Sequence, residues 1–144
     1  MTDLRLGQQL CFAVYSASHA LTRFYRPLLA ELGVTYPQYL ALLALWEEDG
    51  LTVTAIGDRL LLDSGTVTPV LKRLEALGLV TRSRSTTDER QVLVRLTAHG
   101  RELRRIAEGF PARILAAADC SGEEFETLRE ALSALRLNLD GATA

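Results

Sequence analysis

At 144 residues and 48% hydrophobic content, the chain is long enough for one domain with a real core. No apolar run approaches the roughly 20 residues of a membrane span, and the opening MTDLRLGQQL lacks the basic-then-apolar pattern of a signal peptide. The expectation is a cytoplasmic protein with no membrane partner. The net charge of −2 weighs against nucleic acid until its distribution is considered. Leu51 to Gly100 holds seven basic residues against five acidic, and the remainder nine against thirteen. Positive charge is concentrated in the middle of the chain, though by so little that two copies on one duplex are expected.

The first predicted helix runs from about Leu6 to Tyr25, with Leu10, Val14, Ala17, Leu21 and Phe24 as an apolar stripe and Cys11, Ser18, Thr22 and Tyr25 beside it. Arg26-Pro27 ends or kinks it, and Leu28 to Gly33 reads as a short helical turn. Thr35-Tyr36-Pro37-Gln38 starts the next helix, with Thr35 as N-cap and Gln38 closing a capping box. That helix stops at Asp49-Gly50.

From Leu51 the pattern is helix, break, helix, hairpin. Val53, Ile56 and Leu60 recur at helical spacing, and Asp63 and Ser64 are both N-cap types. Val67, Val70, Leu71, Leu74 and Leu77 form the apolar face of the second helix, which Gly78 ends. Its opposite face carries Thr66, Thr68, Pro69, Lys72 and Arg73, and Ser64 stands at its start. Short polar groups in the first turns and cations a turn later suit a helix that reads base edges while meeting phosphates. Val80 to Arg84 alternates as one strand, with Arg82 and Arg84 on one side, and after the polar tip 85–90 Val92, Val94 and Leu96 alternate against Gln91 and Arg95 as the other. A basic hairpin after a helix–turn–helix is a winged helix, whose tip would insert Arg90 into a minor groove. A helical pair with a merely solvated hairpin is the bland alternative.

A long helix is predicted from Arg101 to about Ala118, bent near Phe110 by Gly109 and Pro111. Ser121 and Glu124 form a capping box for the last helix. There Phe125, Leu128, Leu132, Leu135 and Leu139 repeat at 3, 4, 3, 4 spacing, and the tail 141–144 is expected to fray. This seam packs either against the first helix or against a second copy; a dimer interface built from both chain ends is favoured. The predicted fold is mostly α with a small β-hairpin wing. It has N-terminal helices (1–50), a winged helix–turn–helix (51–100) and C-terminal dimerisation helices (101–144), in one compact unit. Cys11 and Cys120 fit no metal spacing and His19 and His99 are isolated, so no metal or cofactor is expected. Cys11 taken alone reads as an ordinary core cysteine.

Motifs along the chain change that. QLCFAVYSASHALTRFYRPLL around Cys11, VTYPQYLALLALWEEDG, LDSGTVTPVLKRLEALGLV and the wing DERQVLVRLT, with Asp88 and Arg90 as its D-x-R element, together resemble the MarR family of winged-helix repressors. Within it, the cysteine and its two tyrosines resemble the organic-hydroperoxide-sensing, OhrR-type branch. The resemblance implies that Cys11 reacts with peroxide, that Tyr25 and Tyr36 hydrogen-bond its sulfur, and that the oxidised thiol is resolved as a disulfide either by Cys120 or, as in members that lack a second cysteine, by a small cellular thiol. It implies no enzyme but a homodimeric repressor, bound to a palindromic double-stranded operator when reduced and released by organic hydroperoxide. The DNA contacts would come from Ser64, Thr66, Thr68, Pro69, Lys72, Arg73, Arg84 and Arg90. The alternatives are a repressor released by a small lipophilic or phenolic ligand, a thiol peroxidase using both cysteines, and a protein-binding dimer with a vestigial wing.

Cys11 and Tyr25 stand 14 positions apart. They share a helical face but lie about 21 Å apart along a straight helix. The expected partner of Tyr25, and of Tyr36, is therefore Cys11 of the other subunit.

Overall fold

The computed structural model of the chain describes residues 3–143. A 3-10 turn at Leu6–Gln8 leads into α1 (Leu10–Leu32), followed by α2 (Tyr36–Glu47), β1 (Leu51–Thr52), α3 (Val53–Leu60), α4 (Ser64–Ala76), β2 (Val80–Arg84), β3 (Val92–Leu96), α5 (Ala98–Ala107), α6 (Phe110–Ala118) and α7 (Gly122–Thr143). The chain divides into two compact units after Ala107.

In the first unit α2 is the hub. It packs against α1, α3, α4 and α5 and buries Tyr39, Ala41, Leu42, Ala44 and Leu45. Its start is the capping box read from sequence: the Gln38 N–H donates to Thr35 Oγ1, and the Thr35 N–H donates to Gln38 Oε1 at 3.0 Å. Ile56, Val67, Leu71, Leu74, Val80 and Val94 complete the core from the helix–turn–helix and wing.

The first hairpin strand runs over the residues expected and the second begins at Val92, one residue after the expected start at Gln91; they pair in antiparallel register with Val80 opposite Leu96 and Arg84 opposite Val92. The sheet has a third strand that alternation could not reveal, because β1 is only two residues long. Leu51 pairs with Val94, giving the order β1-β3-β2 and leaving β2 at an edge.

Two helix boundaries differ from expectation. The first helix begins at Leu10, after the 3-10 turn, and does not end at Arg26-Pro27. It continues through Pro27 to Leu32 and is closed by Gly33 at φ 71, whose N–H donates to Leu29 and Ala30 carbonyls. An internal proline costs roughly 3 kcal/mol, but the turn after it buries Leu28, Leu29 and Leu32. Each of those is worth about 1.5–3 kcal/mol on burial, so packing outweighs the break. The expected helix from Arg101 is in fact two, parted at Glu108-Gly109, where a glycine precedes a proline-containing first turn.

In the second unit the Ser121–Glu124 box is formed in both directions, at 2.8 and 3.1 Å. α7 extends to Thr143, so residues 141–143 are helical, while Ala144 lies outside the described residues. α7 buries none of its residues: Leu128 is 58% and Leu139 57% exposed. The N-terminal part of α1 is equally bare, with Leu10 62% and Leu21 49% exposed. Among the described residues no single helix is long and apolar enough to cross a membrane.

Candidate functional site

The recognition segment is α4. Asp63, not Ser64, is its N-cap, accepting the Thr66 N–H at 2.8 Å. Ser64 becomes the first helical residue. Val67, Leu71 and Leu74 face the core, which turns Ser64, Thr66, Pro69, Lys72 and Arg73 to solvent and leaves Thr68 half-buried. Pro69 lies inside the helix, on this outer face. Of the residues expected to contact DNA from this helix, all but Thr68 are therefore exposed.

The C-terminal end of α4 is fixed tightly. Gly78 turns the chain at φ 74. Thr97 then ties the turn to the wing: its Oγ1 donates to the Gly78 carbonyl at 2.6 Å and its N–H to the Leu79 carbonyl at 3.0 Å. Gly100, in the first turn of α5, abuts the same Leu79 carbonyl; a Cβ there would lie 2.1 Å from its oxygen. Trp46 holds the other side, its Nε1–H donating to the Gly100 carbonyl at 2.9 Å.

The wing tip is built around Ser85, a buried polar residue. Its hydroxyl accepts the Thr87 and Asp88 N–H groups at 3.2 and 3.4 Å and pairs with the Thr87 hydroxyl at 2.9 Å. Asp88 Oδ1 then receives both the Arg90 N–H at 3.0 Å and its Nε–H at 3.3 Å. The D-x-R element is a local clamp that aims Arg90, whose side chain is 91% exposed. Arg84 is exposed, and its Nη1 donates to the Glu89 carbonyl at 2.8 Å, bracing the tip.

Arg82 is a different case. The strand period sets it on the face of Val80, opposite buried Val94. It is engaged by Glu75 of α4, so it does not join Arg84 as a free cation. Sequence patterning missed Glu75. The available signal was an acidic residue on the recognition helix, just ahead of a basic strand.

Tyr25 and Tyr36 come together at the α1–α2 junction, ring centroids 5.0 Å apart, with Tyr39 behind them at 5.9 and 6.1 Å. Tyr39 is buried, and its ring also meets Trp46 at 6.3 Å. Ser18, Leu21 and Thr22 complete a cavity of about 180 Å³ with Tyr25 and Tyr36. Ser18 and Thr22 lie on the stripe that sequence spacing assigned to Cys11 and Tyr25. Burial, and then the neighbouring phenols, hold Tyr25 well above the ordinary phenol value; burial does the same for Tyr36, and burial and then Tyr36 for Tyr39. These groups remain O–H donors across any physiological pH. The sign of the linkage follows. Stability is intact below the unfolded phenol value near 10 and falls as pH rises above it, because the unfolded chain ionises first. In an alkaline titration, phenolate absorbance from this trio should lag behind free tyrosine; ionisation in step with free tyrosine would refute the packing.

Cys11 is exposed, in the first turn of α1, and Tyr25 is in the same unbroken helix. Fourteen residues of helix separate them by about 21 Å, so they do not meet within one chain. Tyr15 is exposed beside His19, ring centroids 4.4 Å apart. Cys120 is half-buried in the α6–α7 loop, after Asp119 at φ 51. Among the described residues no group of His, Cys, Asp and Glu could hold a metal ion.

The family description "Transcriptional regulator SarA/Rot" matches residues 23–105, more than half of the chain. The chain is 51% identical over 132 residues to the organic hydroperoxide resistance transcriptional regulator of Bacillus subtilis, covering 92% of this chain and 90% of that one. Reduced AbfR bound to DNA superposes with a TM-score of 0.82 at 36% identity, over 98% of this chain and 96% of the other. The disulfide form of AbfR, a protein of Staphylococcus epidermidis, gives 0.65 at 42% identity over 92% and 93%. With its helix–turn–helix, three-stranded wing and exposed N-terminal cysteine, this chain belongs to the MarR-type winged-helix transcriptional regulators, in their organic-hydroperoxide-sensing, OhrR-type branch.

Proposed function

We propose that the chain is a peroxide-responsive transcriptional repressor. As a homodimer it binds an inverted-repeat operator when reduced and releases it when an organic hydroperoxide oxidises Cys11. The observation that carries this is the combination, in one chain, of an exposed cysteine in the first turn of α1 with an exposed recognition face and an aimed Arg90.

On DNA, Ser64, Thr66, Thr68 and Pro69 meet base edges in the major groove while Lys72 and Arg73 meet phosphates. Arg90, steadied by Asp88, enters the adjacent minor groove, and Arg84 supports the tip. The uncovered apolar faces of α1 and α7 are what a second copy would bury. Two-fold symmetry then spaces the recognition helices for successive turns of a palindrome. A repressor works where its operator is, so the reading includes a cytoplasmic location.

The chemistry balances without a cofactor. The Cys11 thiolate attacks the peroxide O–O bond; sulfur takes the terminal OH and becomes a sulfenic acid, and the departing alkoxide picks up from solvent a proton equivalent to the one the thiol gave up, leaving as an alcohol. Tyr25 and Tyr36 of the partner chain donate to the sulfur. Attack by the Cys120 thiol on the sulfenic acid then forms a disulfide and expels water.

The test is binding of the reduced protein to DNA from its own promoter region, followed by a stoichiometric amount of organic hydroperoxide. Release that a dithiol reverses is expected. Absence of binding overturns the DNA reading. Binding indifferent to peroxide favours the second reading, release by a small lipophilic or phenolic ligand. That reading is supported by an open cavity of about 630 Å³ lined by Leu29, Val34, Tyr36, Leu77, Arg26 and Arg73.

A further inference from the structure

We propose that Glu75 is a positioning residue for DNA recognition: paired with Arg82, it sets the angle of the wing against the recognition helix. The inference rests on the DNA-binding reading above and adds a residue that contacts no DNA.

One carboxylate holds both the backbone and the side chain of the middle residue of β2. Glu75 Oε2 accepts the Arg82 N–H at 3.0 Å, and Oε1 accepts Nε–H and Nη2–H at 3.2 and 3.1 Å. β2 is an edge strand, so this N–H is satisfied by α4 rather than by a neighbouring strand. The grip is therefore on the strand itself: the guanidinium converges on one carboxylate oxygen while the other takes the backbone N–H, so both oxygens are engaged. Beyond Arg82 the strand has only two more residues before the tip that carries Arg90. A rotation of β2 about its grip on α4 is magnified at that guanidinium.

Electrostatics make the geometric role the only useful one. Glu75 adds negative charge to a helix that must approach a polyanion, and Arg82, already paired, is a poor phosphate ligand. Both side chains keep partial access to solvent, 39% and 24%, so the pair contributes little to global stability. What remains is orientation.

The experiment uses the reduced full-length protein with E75Q, E75D, R82Q and the E75Q/R82Q double variant, on its own promoter DNA and on an unrelated duplex. E75Q makes the protein more positive, R82Q more negative, and E75D changes no charge. The proposal expects all three to weaken promoter binding in the same direction, by about tenfold. The double variant should be no weaker than either single one. On the unrelated duplex E75Q should bind no worse than the wild type. Arg90→Ala should cost much less in the E75Q background than in the wild type, because a misplaced wing has little left to lose. Opposite signs for E75Q and R82Q, with additive effects in the double variant, would mean that the two residues act only as charges and would overturn the proposal. So would unchanged binding in all variants, or a loss in E75Q that tracks a lowered melting temperature and is absent in E75D. If the wild type itself ignores promoter DNA, the DNA reading fails instead.

Discussion

Gly100→Ala should destabilise the winged helix by about 3 kcal/mol or more, the upper end of what a single added methyl costs in a packed site. The new Cβ would stand 2.1 Å from the Leu79 carbonyl oxygen, 3.1 Å from its carbon and 3.2 Å from Leu96 Cδ2. Two of those are backbone atoms and cannot swing aside. The carbonyl is held by the Thr97 N–H, the preceding carbonyl by the Thr97 hydroxyl, and Gly100's own carbonyl by Trp46. Relief requires moving the C-terminal end of α4 or the start of α5, and both are sealed against the core through Leu74, Leu79 and Leu103. The measurement is a urea unfolding curve at fixed pH. A loss below about 1 kcal/mol would show that this joint yields more easily than its hydrogen bonds imply.

Cys11→Ser should abolish the peroxide response and leave the reduced protein's DNA affinity as it was. The residue is exposed in the single chain, so the change from sulfur to oxygen should alter stability by no more than about 0.5 kcal/mol. Serine cannot be carried to a sulfenic acid, so the switch loses its chemistry and keeps its scaffold. In the unaltered protein, oxidation must shift affinity on the order of 100-fold to move occupancy usefully; in the variant the ratio of affinities before and after peroxide should be one. Competition binding on promoter DNA reads both. Peroxide-driven release that survives in the variant would remove Cys11 as the sensor and turn attention to Cys120. A variant that ignores peroxide yet is released by a phenolic compound would make the larger cavity beside Arg26 and Arg73 the regulatory site.

The winged helix was legible in the sequence because its signals are local. Capping types at Thr35, Asp63 and Ser121 and the stop at Gly78 all act within one turn, and strand alternation gave both hairpin strands to within a residue. The failures lie where a distant partner overrides a local rule. Pro27 reads as a helix end, but the burial of Leu28, Leu29 and Leu32 carries the helix past it. β1 is too short to show a period and exists because β3 pairs with it. Arg82 matched Arg84 by alternation, yet only the placement of Glu75 on the neighbouring helix shows that its charge is already used. The tyrosine cavity was half legible. Spacing along one helix excluded a Cys11–Tyr25 contact within the chain and grouped Tyr25 with Ser18 and Thr22. The gathering of Tyr36 and Tyr39 onto Tyr25 needed the turn at Gly33.

Trp46 is the only tryptophan in the chain. Its ring lies 6.3 Å from Tyr39, which in turn lies beside Tyr25 and Tyr36. Light absorbed by those three phenols therefore drains to one indole. That indole's N–H is bonded to the residue on which the recognition helix rests. Excited at wavelengths that tryptophan alone absorbs, the protein's emission thus has a single address, at the joint between the tyrosine cavity and the winged helix. Its colour and intensity report the state of that joint in the unlabelled protein.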